Sequence, residues 1–491
     1  MSDFTEQVHQ ILNGAVSFFI GYGLRKAVGL FTTIMLARLL TIDSFGVLMF
    51  GLSIIGITKK FGKLGSTTSF LKLIPKYIDN VYKQQKVITV GVTVTAIGAL
   101  VTAGALFWYA PIINELSIGA DQLPVVLRLL SFVMILEIFI DVCSSLLQSI
   151  KRPRLQVVIK DGIKPLFRNG SILLGLYFGS SIVGVTIALA IGFAVAFVIS
   201  VLILLKTGDI WMSTEISRED IFEYTKFSIP LTFQGSASIL YKQIDILMIG
   251  LLLVSADVSL FKVATSATAY LILPLLALNQ IFTPLSSELY EKGKYEDISI
   301  LYHVVTRWAL TLSLFPAAAV VIYRQEVLSI FGSEYVAAST LMVAFILREI
   351  IINATGPSGK LLVMMSRQNY AMGIQWVFGI LNVILNYILI LRMGVLGAAI
   401  ATVTTTILAN TSRVGMVWYL ENIHPFRIKM VKPFISLGPA AIGMYIISMN
   451  YTELTAILYG TALGGAMYLI GIYLIGIEKE DKDVFYDFVS E

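Results

Sequence analysis

LRKAVGLFTTIMLARLLTIDSFGVLMF, residues 24–50, lies over LYKQIDILMIGLLLVSADVSLFKVATS, residues 240–266, at an offset of 216. Lys26 meets Lys242, Phe45 meets Phe261 and Val47 meets Val263. A second pair, SIVGVTIALAIG (181–192) and GVLGAAIATVTT (394–405), matches at an offset of 213. The chain therefore reads as two copies of one unit. Both copies begin with a basic loop on the same side of the membrane, so the repeat is parallel rather than inverted.

Composition says what the repeated unit is made of. The 491 residues are 57% hydrophobic and only 14% charged, with a mean hydropathy of +0.83. A soluble chain would carry about 25% charged residues. An all-α polytopic membrane protein is expected, with about 20 apolar residues per crossing. Fourteen candidate spans fall near 11–39, 45–70, 86–111, 123–150, 155–179, 181–205, 222–253, 257–287, 299–322, 335–364, 369–392, 395–420, 431–450 and 453–476. With the repeat they predict a six-helix lobe over 1–206 and a cytoplasmic linker over 207–221. A second six-helix lobe over 222–421, two additional helices over 422–476 and a cytoplasmic tail over 477–491 follow. Pro165, Pro230, Pro274, Pro316 and the GPSG stretch at 356–359 interrupt several spans. Such breaks are tolerated where neighbouring helices or a wet cavity satisfy the released carbonyls.

Lys and Arg in short loops set the orientation. With a cytoplasmic N-terminus, the inner loops and tail hold Lys72, Lys76, Lys83, Lys86, Lys151, Arg152, Arg154, Lys206, Arg218, Lys292, Lys294, Arg367, Arg427, Lys429, Lys432, Lys479 and Lys482. The outer loops hold Arg324 and Arg392. Both termini are expected in the cytoplasm, in the cell membrane. The first apolar run lacks a basic leader and a small-residue cleavage site, so it is expected to be retained. Cys143 is the sole cysteine, and His9, His303 and His424 are widely separated. No zinc or P-loop motif occurs. Neither a metal nor an organic cofactor is expected, and no nucleic-acid partner. Transport would then be driven by an ion gradient, with H+ or Na+ as the coupling ion, or by the membrane potential.

Charges at bilayer depth cost at least about 2.5–3.5 kcal/mol each on insertion scales, so those kept there invite a function. The mid-depth cations are Arg25, Lys26, Lys164, Arg168, Lys242 and Arg348, with Lys59, Lys60 and Lys63 nearer the inner side. Lys160, Lys164 and Arg168, four residues apart, predict one stripe on span 5. Glu137 and Asp141 predict an acidic stripe on span 4, and Asp161 sits beside the basic one. Two readings stay open: an ion-pair network within the lobe, or a cavity in which Glu137, Asp141 and Asp161 carry the coupling ion. Lys242 and Asp245 can pair along one helix, and Arg348 beside Glu349 is ambiguous. Arg25 and Lys26 have no acid within span 1, and Gly21, Gly23 and Gly29 flank them. Those glycines leave room for a bulky ligand or for close helix packing. An anion held by this set would be a phosphate or pyrophosphate, which Arg binds as a fork and Lys as a point charge.

The pattern A-R-L-L-x-x-x-x-F-G at 37–46, followed by L-G-x-x-x-x-x-L-x-x-I-P-K-Y at 64–77, resembles the opening of the polysaccharide transporter, or Wzx-type oligosaccharide flippase, family. That family belongs to the multidrug/oligosaccharidyl-lipid/polysaccharide (MOP) superfamily. The resemblance covers all fourteen spans. It implies a V-shaped, MATE-like pair of lobes around a cationic cavity, and alternating-access flipping of an isoprenoid-(pyro)phosphate oligosaccharide to the outer leaflet. Other glycan-assembly proteins would be partners. It also implies that the last two spans make a groove for the lipid tail, and that Arg25 matches a head-group contact in the first helix. A cation-coupled multidrug exporter is the competing reading. It would want a carboxylate in the first lobe, and span 1 offers none before Asp43. A membrane ligase or polymerase would want a large outer loop, whereas the longest here is about 323–334.

Overall fold

The structure, a computed structural model, describes residues 2–475 apart from 78, 180, 208–212, 214 and 452; side chains are described outside 2–20, 233–242 and 453–454. The described residues are helical, with no strand among them. In chain order the α-helices are α1 (Ser2–Leu39), α2 (Ile42–Gly62), α3 (Ser66–Lys76), α4 (Val81–Glu115), α5 (Leu123–Ser149), α6 (Pro153–Val157), α7 (Lys164–Gly179), α8 (Ile182–Lys206), α9 (Arg218–Lys242) and α10 (Ile244–Leu252). They continue as α11 (Ser255–Thr268), α12 (Leu273–Glu291), α13 (Tyr295–Ile322), α14 (Arg324–Ser329), α15 (Ser339–Thr355), α16 (Ser358–Met364), α17 (Gln368–Met393), α18 (Val395–Glu421), α19 (Lys432–Asn450) and α20 (Glu453–Ile475).

Local chemistry starts several of them. Thr41 caps α2 by accepting from the Ser44 amide, Asn80 caps α4 through the Lys83 amide, and Ser181 caps α8 through that of Gly184. Each cap satisfies one of the orphan N–H groups of a first turn.

Among the described residues, ten helical stretches are long and apolar enough to cross a membrane. α11 and α12, bent by 56° across 269–272, make an eleventh if taken as one broken span. The chain is a multi-pass membrane protein. Every one of the fourteen expected segments falls on helix, but the count of fourteen is not established. Side chains of the first segment lie partly outside the described residues. The fifth, 155–179, is interrupted by a π-helical stretch at Val158–Ile163, and the seventh is broken at Gln243 between α9 and α10.

The chain packs as two compact units, one formed by 1–30 with 263–491 and the other by 31–262. In the second, α2 and α3 pack on α4 and α5, α5 on α8, α8 on α7, and α9 lies against α2, α3 and α4. Phe70, Ile74, Ile88, Val142 and Leu146 are buried together there. Gly46 carries close packing: a Cβ on it would overlap the Ser255 carbonyl. Beside it the Ser255 hydroxyl donates to Asp43 at 2.5 Å, and that of Ser259 donates to the Ile42 carbonyl. Gly65 takes φ +72, with the Ser228 carbonyl where a Cβ would stand. The F-G and L-G elements of the 37–77 pattern are thus sites where backbone meets backbone.

In the other unit α13 packs on α12, α15 and α19, α18 on α15, α16 and α17, and α19 on α20. Phe282, Tyr302, Leu361, Leu362 and Val417 are buried together there.

Candidate functional site

Among the described residues, two clusters of charge stand out, one in each unit, and Asp245 and Arg307 are buried as well. In the unit 31–262 the cluster joins three helices. Lys59 on α2 donates to Glu137 on α5 at 2.7 Å, and Lys63, one turn on, reaches Asp141 at 2.5 Å. Lys164, at the start of α7, lies between the two acids, 3.0 Å from Glu137 and 2.5 Å from Asp141. Arg168 acts on Glu137 electrostatically. Each carboxylate is therefore met by two ammonium groups, and cations outnumber acids. Of the two readings left open by the sequence, the ion-pair network within one unit is the arrangement seen. It extends further than spans 4 and 5, because α2 supplies half of it. The i, i+4 spacing of Lys59 and Lys63 matches that of Glu137 and Asp141, and is the signal that could have found it.

The expected stripe of Lys160, Lys164 and Arg168 needs correction. The turn at Val158–Ile163 is π-helical. A π turn takes in an extra residue and breaks the i, i+4 register. Lys160 and Asp161 are exposed, while Lys164 is half-buried in the network.

The second cluster lies within the unit formed by 1–30 and 263–491. Arg25 and Lys26 are half-buried on α1. The Arg25 guanidinium sits 5.0 Å from the Tyr22 ring centre and the Lys26 ammonium 5.7 Å from it. The aromatic face holds both cations in place without neutralising either. Among the described residues, no heavy atom comes within 4 Å of a Cβ built on Gly21, Gly23 or Gly29, so open space adjoins the pair.

The bend between α11 and α12 fixes this stretch of α1. Tyr270 in the bend donates its hydroxyl to the Lys26 carbonyl at 2.8 Å. From α15, the Asn353 amide donates to the Leu271 carbonyl at 3.0 Å. One turn before Asn353, Arg348 pairs with Glu349 at 3.2 Å. Adjacent positions on a helix point about 100° apart, yet the long Arg348 side chain closes that gap. Glu349 is buried and feels the charges of both Arg348 and Lys26. Arg348 Nε and Glu349 Oε2 are buried with no hydrogen-bond partner among the described residues. Lys26 and Arg348 thus act on one carboxylate, and Tyr22 faces both Arg25 and Lys26.

The structure divides five of the six expected cations between these clusters. Lys164 and Arg168 belong to the first; Arg25, Lys26 and Arg348 belong to the second. The Lys242 side chain lies outside the described residues. Tyr22, Tyr270 and Glu349 complete the second cluster. Tyr270 carried no signal in the sequence, because its partner on α1 is distant in the chain, whereas Tyr22 stands three and four residues before Arg25 and Lys26.

Comparison with known proteins bears on the family. The sequence profile described as polysaccharide biosynthesis protein matches residues 11–290, and that described as MatE matches residues 230–388. A curated relative, the probable low-salt glycan biosynthesis flippase Agl15 of Haloferax volcanii, is 28% identical over 189 residues, 38% of this chain and 39% of that protein. The chain thus spans about two fifths of the length of this relative. Among solved structures, lipid II flippase MurJ in an inward closed conformation superposes with a TM-score of 0.74 at 15% identity, covering 97% of this chain and 100% of that one. An inward-facing multidrug resistance MATE transporter of the MOP superfamily gives 0.62 at 15% identity, covering 81% and 94%. Identities this low speak for the fold alone. The profile match covers more than half of the chain, and on that ground the chain belongs to the polysaccharide biosynthesis protein family of the MOP superfamily.

Proposed function

We propose that this protein is a flippase that moves an isoprenoid-(pyro)phosphate-linked oligosaccharide from the cytoplasmic to the outer leaflet of the cell membrane. It does so by alternating access, for polysaccharide or glycoconjugate assembly, and acts as a transporter rather than an enzyme. The observation that carries the reading is the set Arg25, Lys26 and Arg348, of which Lys26 and Arg348 act on the buried Glu349 while Arg25 and Lys26 share the Tyr22 face. Arg348 pairs with the buried Glu349, Lys26 acts on the same carboxylate, and Arg25 stands beside Lys26 on α1 with open space adjoining. A glycan bonds through hydroxyls and could cross many cavities. The phosphate linkage is the part that needs fixed positive charge, and a cavity of low dielectric strengthens each contact. Arg25 is the bidentate donor to phosphate oxygens, Lys26 the point charge, and Arg348 the group shared between ligand and Glu349.

In this proposal the functional lobes are 1–206 and 222–421, joined by 207–221, with 422–476 serving the lipid tail and both termini in the cytoplasm. Lys164, Arg168 and Lys242 line the path of the head group in the same scheme, and other glycan-assembly proteins deliver and collect the substrate. H+ or Na+ drives the cycle through Glu137, Asp141 or Asp161. For Glu137 and Asp141 that role requires a lysine to be displaced first, since each already meets two. Unchanged transport by the variant neutral at all three would remove them from coupling.

The MatE match over 230–388 favours a second reading, a cation-coupled multidrug exporter. Its substrate cation would have to displace Arg348 from Glu349. The test separates the two. Arg25→Ala should abolish glycan export at normal protein level, and Arg25→Lys should keep part of it. Glycan export that survives Arg25→Ala, together with ethidium efflux that depends on Glu349, would favour the exporter.

A further inference from the structure

A cavity of about 550 Å³ opens between α3, the start of α4 and the start of α9, and shares no lining residue with either charge cluster. Lys72, Lys76, Lys83, Lys86 and Lys226 line it, against two carboxylates, Asp220 and Glu223. Lys86 is spent on Asp220 at 2.9 Å. The other four lysines have no carboxylate partner among the described residues, so the cavity carries a clear positive excess.

The lysines are held in place. The Ile74-Pro75-Lys76-Tyr77 element ends α3 here: Ile74 is buried among Phe70, Ile88 and Val142, which aims Lys76 and Tyr77 outward. The Tyr77 ring lies 5.3 Å from the Lys76 ammonium and 5.5 Å from that of Lys83. Phe227 holds Lys72 at 5.4 Å. Aromatic faces position ammonium groups while leaving their charge uncancelled. The volume is within the range of small-molecule sites, about 300–1,000 Å³.

Part of the lining is apolar: Leu73, Val87, Val90 and Phe227 face the same cavity, which suits contact with acyl chains. Basic pockets at the edge of a membrane's apolar band are suited to anionic head groups.

We propose that this cavity is a second anion site, which binds a phosphate group through Lys72, Lys76 and Lys83, with Lys226 closing the opposite wall. The chemistry is shared by a phospholipid head group and by a free phosphate or pyrophosphate, and the apolar part of the lining favours the lipid. Binding alone is the readout, so the proposal stands or falls independently of the flippase reading.

The test uses the full-length protein purified in detergent. One arm counts phosphatidylglycerol against phosphatidylcholine retained in native mass spectrometry. The other titrates inorganic pyrophosphate by calorimetry. Lys72→Gln/Lys76→Gln/Lys83→Gln removes three exposed lysines without breaking an ion pair, and the matching triple Arg variant keeps their charge. Lys151→Gln/Arg152→Gln/Arg154→Gln is the control for general attraction. Tenfold or greater loss in the Lys72/Lys76/Lys83 Gln variant is expected, with retention within about threefold in the Arg variant and twofold in the control. Loss confined to the lipid arm identifies a head group, and loss confined to the pyrophosphate arm a soluble ligand. If neither probe separates the Gln variant from the control, the site does not exist.

Discussion

Gly46 and Gly65 show what single residues decide in this chain. Each stands where another segment's carbonyl occupies the place of a Cβ. Gly46→Ala is expected to cost about 1–3 kcal/mol by overpacking. Gly104→Ala, on α4 with no heavy atom within 4 Å of the new methyl, should be neutral or should stabilise by about 0.4–1 kcal/mol. Thermal unfolding in detergent checks the pair, and equal melting temperatures would contradict the packing argument. Asp220 gives a test in pH. Its carboxyl is held below the ordinary carboxylate range, first by the Ser217 amide and then by the Lys86 ammonium. A lowered folded value means that its contribution is complete above the unfolded value, about 3.9, and is lost as pH falls through the folded one. Amide exchange at 218–224, corrected for intrinsic rates, should thus show constant protection from pH 8 to pH 5. Asp220→Asn should lower that protection across the same range.

At the level of helices, the lysine–carboxylate network joins α2, α5 and α7 within one unit. Removing one member of a buried pair costs about 3–5 kcal/mol, because the other is left uncompensated. Glu137→Gln should approach that loss, and adding Lys59→Met should restore part of it. A double-mutant cycle read by denaturation in detergent gives the coupling; additive losses would mean that the pair contributes nothing. The long apolar helices were legible from hydropathy, and the acidic stripe was legible from spacing. Some interruptions were legible too: Pro165 follows the π turn at Val158–Ile163, Pro274 follows the bend between α11 and α12, and the GPSG stretch parts α15 from α16. The loss of the i, i+4 register between Lys160 and Lys164 and the break at Gln243 were not. The break at Gln243 contains neither proline nor glycine. It is met by α2, where the Ser53 hydroxyl donates to the Gln243 carbonyl at 3.4 Å and Gly56 makes room for its side chain. Such breaks are set by partners remote in sequence, which periodicity does not carry. For the same reason Arg25 and Lys26 stood out by composition, while Tyr270, which fixes their backbone, did not.

For the molecule as a whole, the repeat and the loop charges make a claim about orientation that labelling can reach. With Cys143 replaced by Ala, an impermeant maleimide should modify Ser333→Cys but not Arg152→Cys in intact cells; the reverse would invert the topology. The central claim concerns what crosses the membrane. Its most direct test is depletion of the protein in its own cell, followed by mass analysis of the lipid-linked oligosaccharides and of their accessibility on each face. The account predicts that one fully assembled (pyro)phosphate-linked glycan accumulates on the cytoplasmic face, and that wild-type protein clears it while Arg25→Ala does not. Depletion that leaves every lipid-linked glycan at its normal level and on its normal face would contradict it.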